Sequence, residues 1–300
     1  MNSSTAERPL RIPPWIRSKI PGGENFTEIK KYLTENKLHT VCQEASCPNL
    51  GKCWQERTAT AMILGDTCTR GCRFCNVKTG NPKGVIDQNE IASTVALASR
   101  LALRYIVVTS VDRDDLQDGG AAHFAKVVQA LKESDDKLLV EVLIPDFKGE
   151  ESSLHILGRS QPFVIAHNLE TVRSQTTRVR DRRANYDLSL SVLKFFKSNY
   201  PHIATKSSLM AGLGESFEEI VVAMQDLANV GVDIVTLGQY LRPSRSHLSV
   251  AKYYTPEEFA RLERAAYDLG FSFVAAGPMV RSSYRAHEYV DALAVKNGSK

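Results

Sequence analysis

The sequence predicts an α/β fold built on a parallel sheet. Three observations carry this. From residue 60 onward, short β-rich runs alternate with helix-periodic segments. Such alternation means parallel strands joined by helical crossovers. No long linker, tandem repeat or low-complexity tract interrupts it. The chain has 300 residues, and α/β barrels often use roughly 200–250 residues as one domain. One α/β domain with N- and C-terminal extensions therefore fits. A barrel and an open doubly wound sheet both satisfy the pattern, and periodicity does not separate them.

The elements follow in order. Residues 1–15 are polar, carry Pro9, Pro13 and Pro14, and read as a loosely ordered tail. A helix is predicted over 24–37, with Asn25 as its cap. A cysteine-bearing region comes next. Strands are then predicted at 60–64, 105–109, 138–144, 163–167, 203–210 and 233–238, where β-branched and other apolar residues cluster. Helical periodicity marks 91–102, 121–133, a short stretch at 154–157, 188–198 and 217–230. A last helix at 256–269 leads to a final apolar run, 271–276.

Composition narrows the function. The chain is 43% hydrophobic and 24% charged, as expected of a globular protein with a sizeable core. Lys plus Arg is 38 and Asp plus Glu is 34, a net charge of +4. That excess is too small and scattered to argue for nucleic acid. No apolar run reaches the roughly 20 residues a membrane span needs. Residues 1–17 lack the apolar stretch of a secretory signal. The cytoplasm is the expected compartment. An organelle lumen is the alternative, if a transit peptide has been removed.

All 6 cysteines fall between Cys42 and Cys75. A secreted disulfide scaffold spreads cysteines along a short chain. Thiols gathered in one stretch of a long, otherwise cysteine-free chain read as metal ligands in a reducing compartment. The second triplet is Cys68-Thr-Arg-Gly-Cys72-Arg-Phe-Cys75, just after the first predicted strand. It therefore occupies a βα loop, at the end of the sheet where ligands bind. Three thiolates are one short of the four that usually hold an iron–sulfur cluster, so one iron stays open. Zinc with a distant fourth ligand is the bland alternative. A redox pair from Cys72 and Cys75 leaves Cys68 unexplained. The first triplet, Cys42, Cys47 and Cys53, reads as a second cluster whose fourth ligand is not a cysteine. A structural zinc using one of the 7 histidines is its alternative.

The C-x3-C-x2-C spacing on this loop resembles the radical S-adenosylmethionine (SAM) superfamily. With the first triplet and Arg281-Ser282-Ser283-Tyr284, the chain closely resembles the lipoyl synthase family. The likeness runs from about Val41 to Tyr284. It takes in Thr109-Ser-Val-Asp-Arg-Asp-Asp-Leu, His167-Asn-Leu-Glu-Thr-Val, Arg178-Val-Arg-Asp-Arg-Arg-Ala-Asn-Tyr and Gly238-Gln-Tyr-Leu-Arg-Pro-Ser. One departure is Gly51-Lys52 before Cys53, where the family often has an acidic residue. It is not a ligand position.

The resemblance implies a partial (β/α)6 TIM-type barrel over 58–277. It implies an N-terminal extension, 1–57, with auxiliary-cluster ligands, and a C-terminal segment, 278–300, with their serine partner. Two [4Fe–4S] clusters and SAM are the implied cofactors. Cys68, Cys72 and Cys75 would hold the SAM-binding cluster. Cys42, Cys47, Cys53 and Ser283 would hold the auxiliary one, with Ser283 as the weak corner. Phe74 would lie near the adenine, and Asn168 and Glu170 would contact SAM. Thr109 would bond its methionyl group, unless it is simply a strand residue. Arg180 would meet the SAM carboxylate. The other arginines of the run, Arg173, Arg178, Arg182 and Arg183, would face solvent or an acidic partner.

Gly212 and Gly214 would mark a bend close to a ligand. Gln239, Tyr240 and Arg242 would line a substrate tunnel. Lys206, Ser208 and Met210 share one face of the fifth strand and would line the barrel. The implied reaction inserts two sulfur atoms at C6 and C8 of a protein-bound octanoyl-lysine. No side chain would act as a catalytic base. The implied partners are octanoylated lipoyl carriers: the glycine-cleavage H protein and the lipoyl domains of 2-oxoacid dehydrogenase E2. A ferredoxin or flavodoxin reductant and iron–sulfur assembly proteins complete the set. No nucleic acid and no membrane are expected. The rival readings are another auxiliary-cluster radical enzyme, such as a methylthiotransferase or a biotin-synthase-like enzyme, and a non-enzymatic electron carrier or zinc module.

Overall fold

The computed structural model describes residues 10–17, 22, 24–35, 39–40, 49 and 60–283. The β-rich runs form strands β1 (His39–Thr40), β2 (Thr60–Ile63), β3 (Thr67–Cys68), β4 (Lys78–Thr79), β5 (Tyr105–Ser110), β6 (Leu139–Leu143), β7 (Val164–Ala166), β8 (Ala204–Ala211), β9 (Ile234–Gln239) and β10 (Phe273–Gly277). The helices are α1 (Glu24–Glu35), α2 (Glu90–Arg100), α3 (Ala121–Ser134), α4 (Glu151–Arg159), α5 (Thr176–Val179), α6 (Tyr186–Asn199), α7 (Phe217–Asn229) and α8 (Pro256–Asp268).

The main sheet runs in the order β1-β2-β5-β6-β7-β8-β9-β10. The β1–β2 pair is antiparallel, and the other neighbours are parallel. Spatial order follows chain order without reversal. A doubly wound sheet must reverse at a switch point. One-way winding instead curls the sheet toward a barrel, and here β1 and β10 are its two free edges. The barrel is therefore partial, as expected. Six strands were predicted as strands, and the final apolar run adds β10 as a seventh parallel one.

Capping explains several boundaries. Asn185 accepts from the Asp187 and Leu188 amides, so α6 begins two residues before the predicted 188. Ser216 with Glu219, and Thr255 with Glu258, form capping boxes that start α7 and α8. Asn25 lies inside α1 instead of capping it, because the helix already begins at Glu24. The short stretch at 154–157 belongs to a longer helix, Glu151–Arg159.

Strand alternation sends side chains to two apolar layers. The outer layer lies between sheet and helices. Ile106, Val108, Val140 and Val142 pack there against Phe124, Val127 and Leu131 of α3. Leu209, Val235 and Leu237 meet α7 and α8 in the same way. The inner layer plugs the barrel with Tyr105, Val107, Val164 and Ile234. Lys206 is wholly buried and bonds Glu141 at 2.7 Å, while Tyr105 donates to the same carboxylate at 2.7 Å. Lys206, Ser208 and Met210 thus face the barrel interior, with Ser208 and Met210 lining a cavity beyond the Lys206–Glu141 pair.

Candidate active site

The cysteine loop begins with a sharp turn. Leu64 (φ 66°) and Gly65 (φ 83°) are both left-handed, a costly conformation for leucine. Glu90 at the start of α2 holds the turn, accepting from the Leu64 amide at 2.7 Å and the Gly65 amide at 3.2 Å. His123 bonds the same Glu90 carboxylate at 2.8 Å. A Cβ at Gly120 would come within 2.3 Å of the Leu64 side chain, so glycine makes room for the turn.

Arg70 then clamps the loop to the sheet. Its guanidinium grips Asp146 at 2.6 and 2.7 Å and Asp114 at 2.9 and 3.0 Å. Asp112 lies 3.4 Å away. Arg70 and Asp146 are buried. Burial works to raise the Asp146 carboxyl, but the Arg70 hydrogen bonds outweigh it and leave it below the usual range. Burial, only partly opposed by Arg70, pushes the Asp112 carboxyl up to about 6. The Cys68 thiol lies 3.9 Å from Asp112.

Burial pushes the Cys68 thiol up to about 11 and Cys72 up to about 12, and raises Cys75 too. Three free thiols therefore stay protonated until a cation displaces the protons. The Arg70 amide points at the Cys68 sulfur (3.4 Å) and the Asp181 amide at the Cys72 sulfur (3.2 Å).

The three thiols open onto a cavity of about 490 Å³ at the carboxyl ends of the strands. Phe74, Thr109, Asn168, Glu170, Arg180 and Ser283 line the same cavity. These described residues, with the three thiols, are thus brought together on one cavity. Cys42, Cys47 and Cys53 lie outside the described residues. Asn49, between the last two of them in sequence, is described. Its side-chain amide donates to the Met279 carbonyl at 2.6 Å.

Beyond β7 the chain is strained where it meets the cavity. Glu170 has φ 69°, a left-handed conformation uncommon for a residue other than glycine. Its backbone pairs with Ser208 and Met210 of β8 at 2.9 Å each. Asn168 donates to the Glu170 carboxylate at 3.0 Å, while the buried Asn168 Oδ1 has no partner. Burial raises the Glu170 carboxyl.

Arg180 is held from behind. Its Nη1 donates to Ser189 Oγ at 2.9 Å, which bonds His167 Nε2 at 2.9 Å, and His167 Nδ1 bonds the Ile144 carbonyl at 2.9 Å. A carbonyl only accepts, so Nδ1 carries the hydrogen and the chain of donation runs one way. Burial, with help from Arg180, lowers His167 to about 4, so the ring is neutral.

Other expectations divide. Thr109 donates to the Leu143 carbonyl at 2.8 Å, so its hydroxyl hydrogen serves the sheet. Gly212 approaches the chain itself and not a ligand: a Cβ there would strike Gln239 at 2.2 Å and the Lys252 carbonyl at 2.5 Å. Gln239 lines the cavity, but its amide binds the Tyr240 and Lys252 carbonyls. Tyr240 donates to the Leu248 carbonyl at 2.8 Å. Arg242 lines the cavity and donates to the His247 carbonyl at 2.9 Å.

Residues 62–227 match the radical SAM superfamily, and residues 2–47 match the N-terminal domain of lipoyl synthase of that family. Lipoyl synthase of Thermus thermophilus is 54% identical over 91% of this chain and 85% of its own length. The chain belongs to the lipoyl synthase family. Lipoyl synthase of Anaeromyxobacter dehalogenans is 54% identical over 92% of this chain and 94% of its own. The mitochondrial lipoyl synthase of Schizosaccharomyces pombe is 51% identical over 93% and 77%. Among solved structures, methylornithine synthase superposes with a TM-score of 0.54 at 13% identity, covering 84% of this chain and 79% of that one. SuiB of Streptococcus suis, solved with its precursor peptide, gives 0.55 at 13%, covering 85% of this chain and 55% of that one. These two speak to the fold alone.

A lipoyl synthase is a sulfur-inserting radical SAM enzyme, and its family uses SAM with [4Fe–4S] chemistry. The donor set here suits that. Cys68, Cys72 and Cys75 offer three thiols on one cavity. Single zinc wants its thiolates about 2.3 Å from one point. Three thiolates on separate corners of a cube-shaped cluster need not converge. The orphaned Asn168 oxygen, beside Arg180 and Glu170 in the cavity wall, matches an amino-acid head group that both donates and accepts. Arg70, Asp146, His167 and Ser189 were not singled out from the sequence. The first lies inside the cysteine motif and His167 opens another quoted motif, so the signal was local, but their partners were not.

Proposed function

We propose how this chain divides the work of lipoyl synthesis, the insertion of two sulfur atoms at C6 and C8 of an octanoyl group on a carrier lysine. Cys68, Cys72 and Cys75 hold three corners of a [4Fe–4S] cluster and leave the fourth position to SAM. When bound, the reduced cluster and SAM supply a primary carbon radical, which takes hydrogen from carbons no side-chain base can activate. Arg180, steadied through Ser189 and His167, grips the SAM carboxylate. Asn168 Oδ1 and Glu170 accept from the N–H groups of its amino end. Phe74 packs beside the adenine. Thr109 contributes a lone pair at the methionyl end, its hydrogen being committed to Leu143. Met62, Leu143 and Met210 keep part of the wall apolar and exclude water.

The sulfur donor is a second cluster, a substrate that is consumed. Cys42, Cys47 and Cys53 of the 1–57 extension and Ser283 of the 278–300 segment hold it, flanking the 58–277 barrel. A serine alkoxide is a harder, poorer partner for iron than a thiolate, so Ser283 is the corner that releases. The Asn49–Met279 bond supports this, tying the first-triplet region to the segment four residues before Ser283.

The observation that carries the reading is the meeting of the Cys68–Cys75 loop and Ser283 on one cavity. Octanoylated H protein or E2 lipoyl domains supply the acyl lysine, a ferredoxin or flavodoxin the electrons, and assembly proteins the replacement cluster. The cytoplasm is the proposed compartment, with an organelle lumen for a mature eukaryotic form. No helix of the described residues is long and apolar enough to cross a membrane.

Anaerobic reconstitution should load about eight iron and eight sulfide, and an octanoyl-lysine peptide should gain two sulfurs by mass. Cys68→Ala should abolish SAM cleavage. Cys42→Ala should keep SAM cleavage and lose sulfur insertion. A single cluster, or a peptide mass without two sulfurs, would count decisively against the assignment.

A further inference from the structure

The fold splits the basic run that the sequence presents as one. Arg173 pairs with Asp187 at 2.8 Å, Arg183 pairs with Asp181 at 2.8 Å and Asp114 at 3.2 Å, and Arg180 is buried. Arg178 and Arg182 stay exposed with no carboxylate partner among the described residues. Arg73 and Arg245, from distant parts of the chain, join them in the same condition.

Direct bonds stitch these segments together. The Arg73 amide donates to the Val179 carbonyl at 2.9 Å and its guanidinium to the Arg178 carbonyl at 3.4 Å. The Leu248 amide donates to the Arg73 carbonyl at 3.3 Å, and His247 bonds the Cys75 carbonyl at 3.0 Å. Arg242 bonds the Arg245 carbonyl. Arg73, Arg178 and Arg245 are thus held around the outer side of the cysteine loop, whose inner side lines the cavity, and Arg182 lies between Asp181 and Arg183, which bond the Gly71 amide and the Thr69 carbonyl of that loop. The neighbouring carboxylates are already committed. Asp181 serves Arg183 and the Gly71 amide, Asp114 serves Arg70, and Glu215 is buried on the Gly212 and Leu213 amides. The whole chain's excess is only +4, so four uncompensated guanidinium groups beside one loop are a local concentration of charge.

The geometry points to a docking surface: Arg73, Arg178, Arg182 and Arg245 seat the acidic face of the folded carrier domain that presents the acylated lysine. The inference rests on the functional reading above. A lysine-borne acyl chain reaches the cavity from a protein standing against this end of the barrel, and guanidinium groups without carboxylate partners beside the cysteine loop, though outside the cavity lining itself, select carboxylates and speed encounter.

The test uses reconstituted holoenzyme and two substrates: a folded octanoylated carrier domain of net negative charge and a short octanoyl-lysine peptide. In the double variant Arg182→Glu, Arg245→Glu, KM for the carrier should rise about tenfold or more. KM for the peptide, SAM cleavage and kcat should not change. Wild-type kcat/KM should fall steeply with salt for the carrier only. Lysines placed on the carrier's acidic face should restore the double variant. Equal effects on carrier and peptide, or none, would overturn the docking surface. So would loss of single-stranded RNA binding in the variant with carrier KM unchanged. Failure of the wild type to thiolate the peptide would instead overturn the functional reading beneath it.

Discussion

Arg70 sits between three carboxylates, and two of its contacts are bidentate. Arg70→Met would leave Asp146, 1% exposed, without its cation. Breaking a buried pair from one side costs about 3–5 kcal/mol, so the urea midpoint of the apo protein should fall accordingly. Asp146→Asn leaves Arg70 still paired with Asp114 and should cost less. His167 makes a prediction in pH. Burial holds the folded ring near 4, while an unfolded histidine titrates near 6.5. The unfolded chain therefore binds the proton first. The stability conferred by neutral His167 is complete above about pH 6.5 and is lost progressively down to about pH 4, at most about 3 kcal/mol. Urea unfolding at several pH values should show a shallower loss in His167→Asn than in the wild type.

Gly238 marks the scale of elements. It lies in β9 with ordinary strand geometry, yet a Cβ there would come within 2.1 Å of the Val280 carbonyl and 3.2 Å of the Arg281 guanidinium. Glycine inside a strand often marks such a backbone approach. Gly238→Ala must push the segment bearing Ser283 away from the cavity. Misplacement by about 1 Å can cost about a hundredfold in rate. Sulfur insertion should fall by that order while SAM cleavage, followed by chromatography, persists. The long strands and helices were legible because apolar periodicity is a local property. The two-residue strands β3 and β4 were not, since pairing across the cysteine loop defines them. Asn25 illustrates the same limit at a helix end, where several polar residues compete as the cap.

For the molecule as a whole, the extension before the barrel and the segment after it meet through Asn49 and Met279. Metal that binds the folded state alone stabilises it by linkage. Removing iron with a chelator should therefore lower Tm by on the order of 5 °C or more, read by calorimetry under argon. Cys42→Ala should abolish part of that difference, and Cys68→Ala another part. Two equal apo and holo melting temperatures would sever the clusters from the fold.

The thiol spacing and the α/β class were written along the chain. Thiol spacing is covalent, and hydrophobic period follows from backbone geometry, so Cys68, Cys72, Cys75 and the alternating elements need no third dimension to be read. The choice between barrel and open sheet did need it, because the same alternation winds either way until the strand order is known. So did the partners of Arg70, 76 residues from Asp146, and the sorting of one basic run into braced, buried and free arginines. Burial and ion pairing join residues distant in sequence, and the linear order of side chains carries no distance between them.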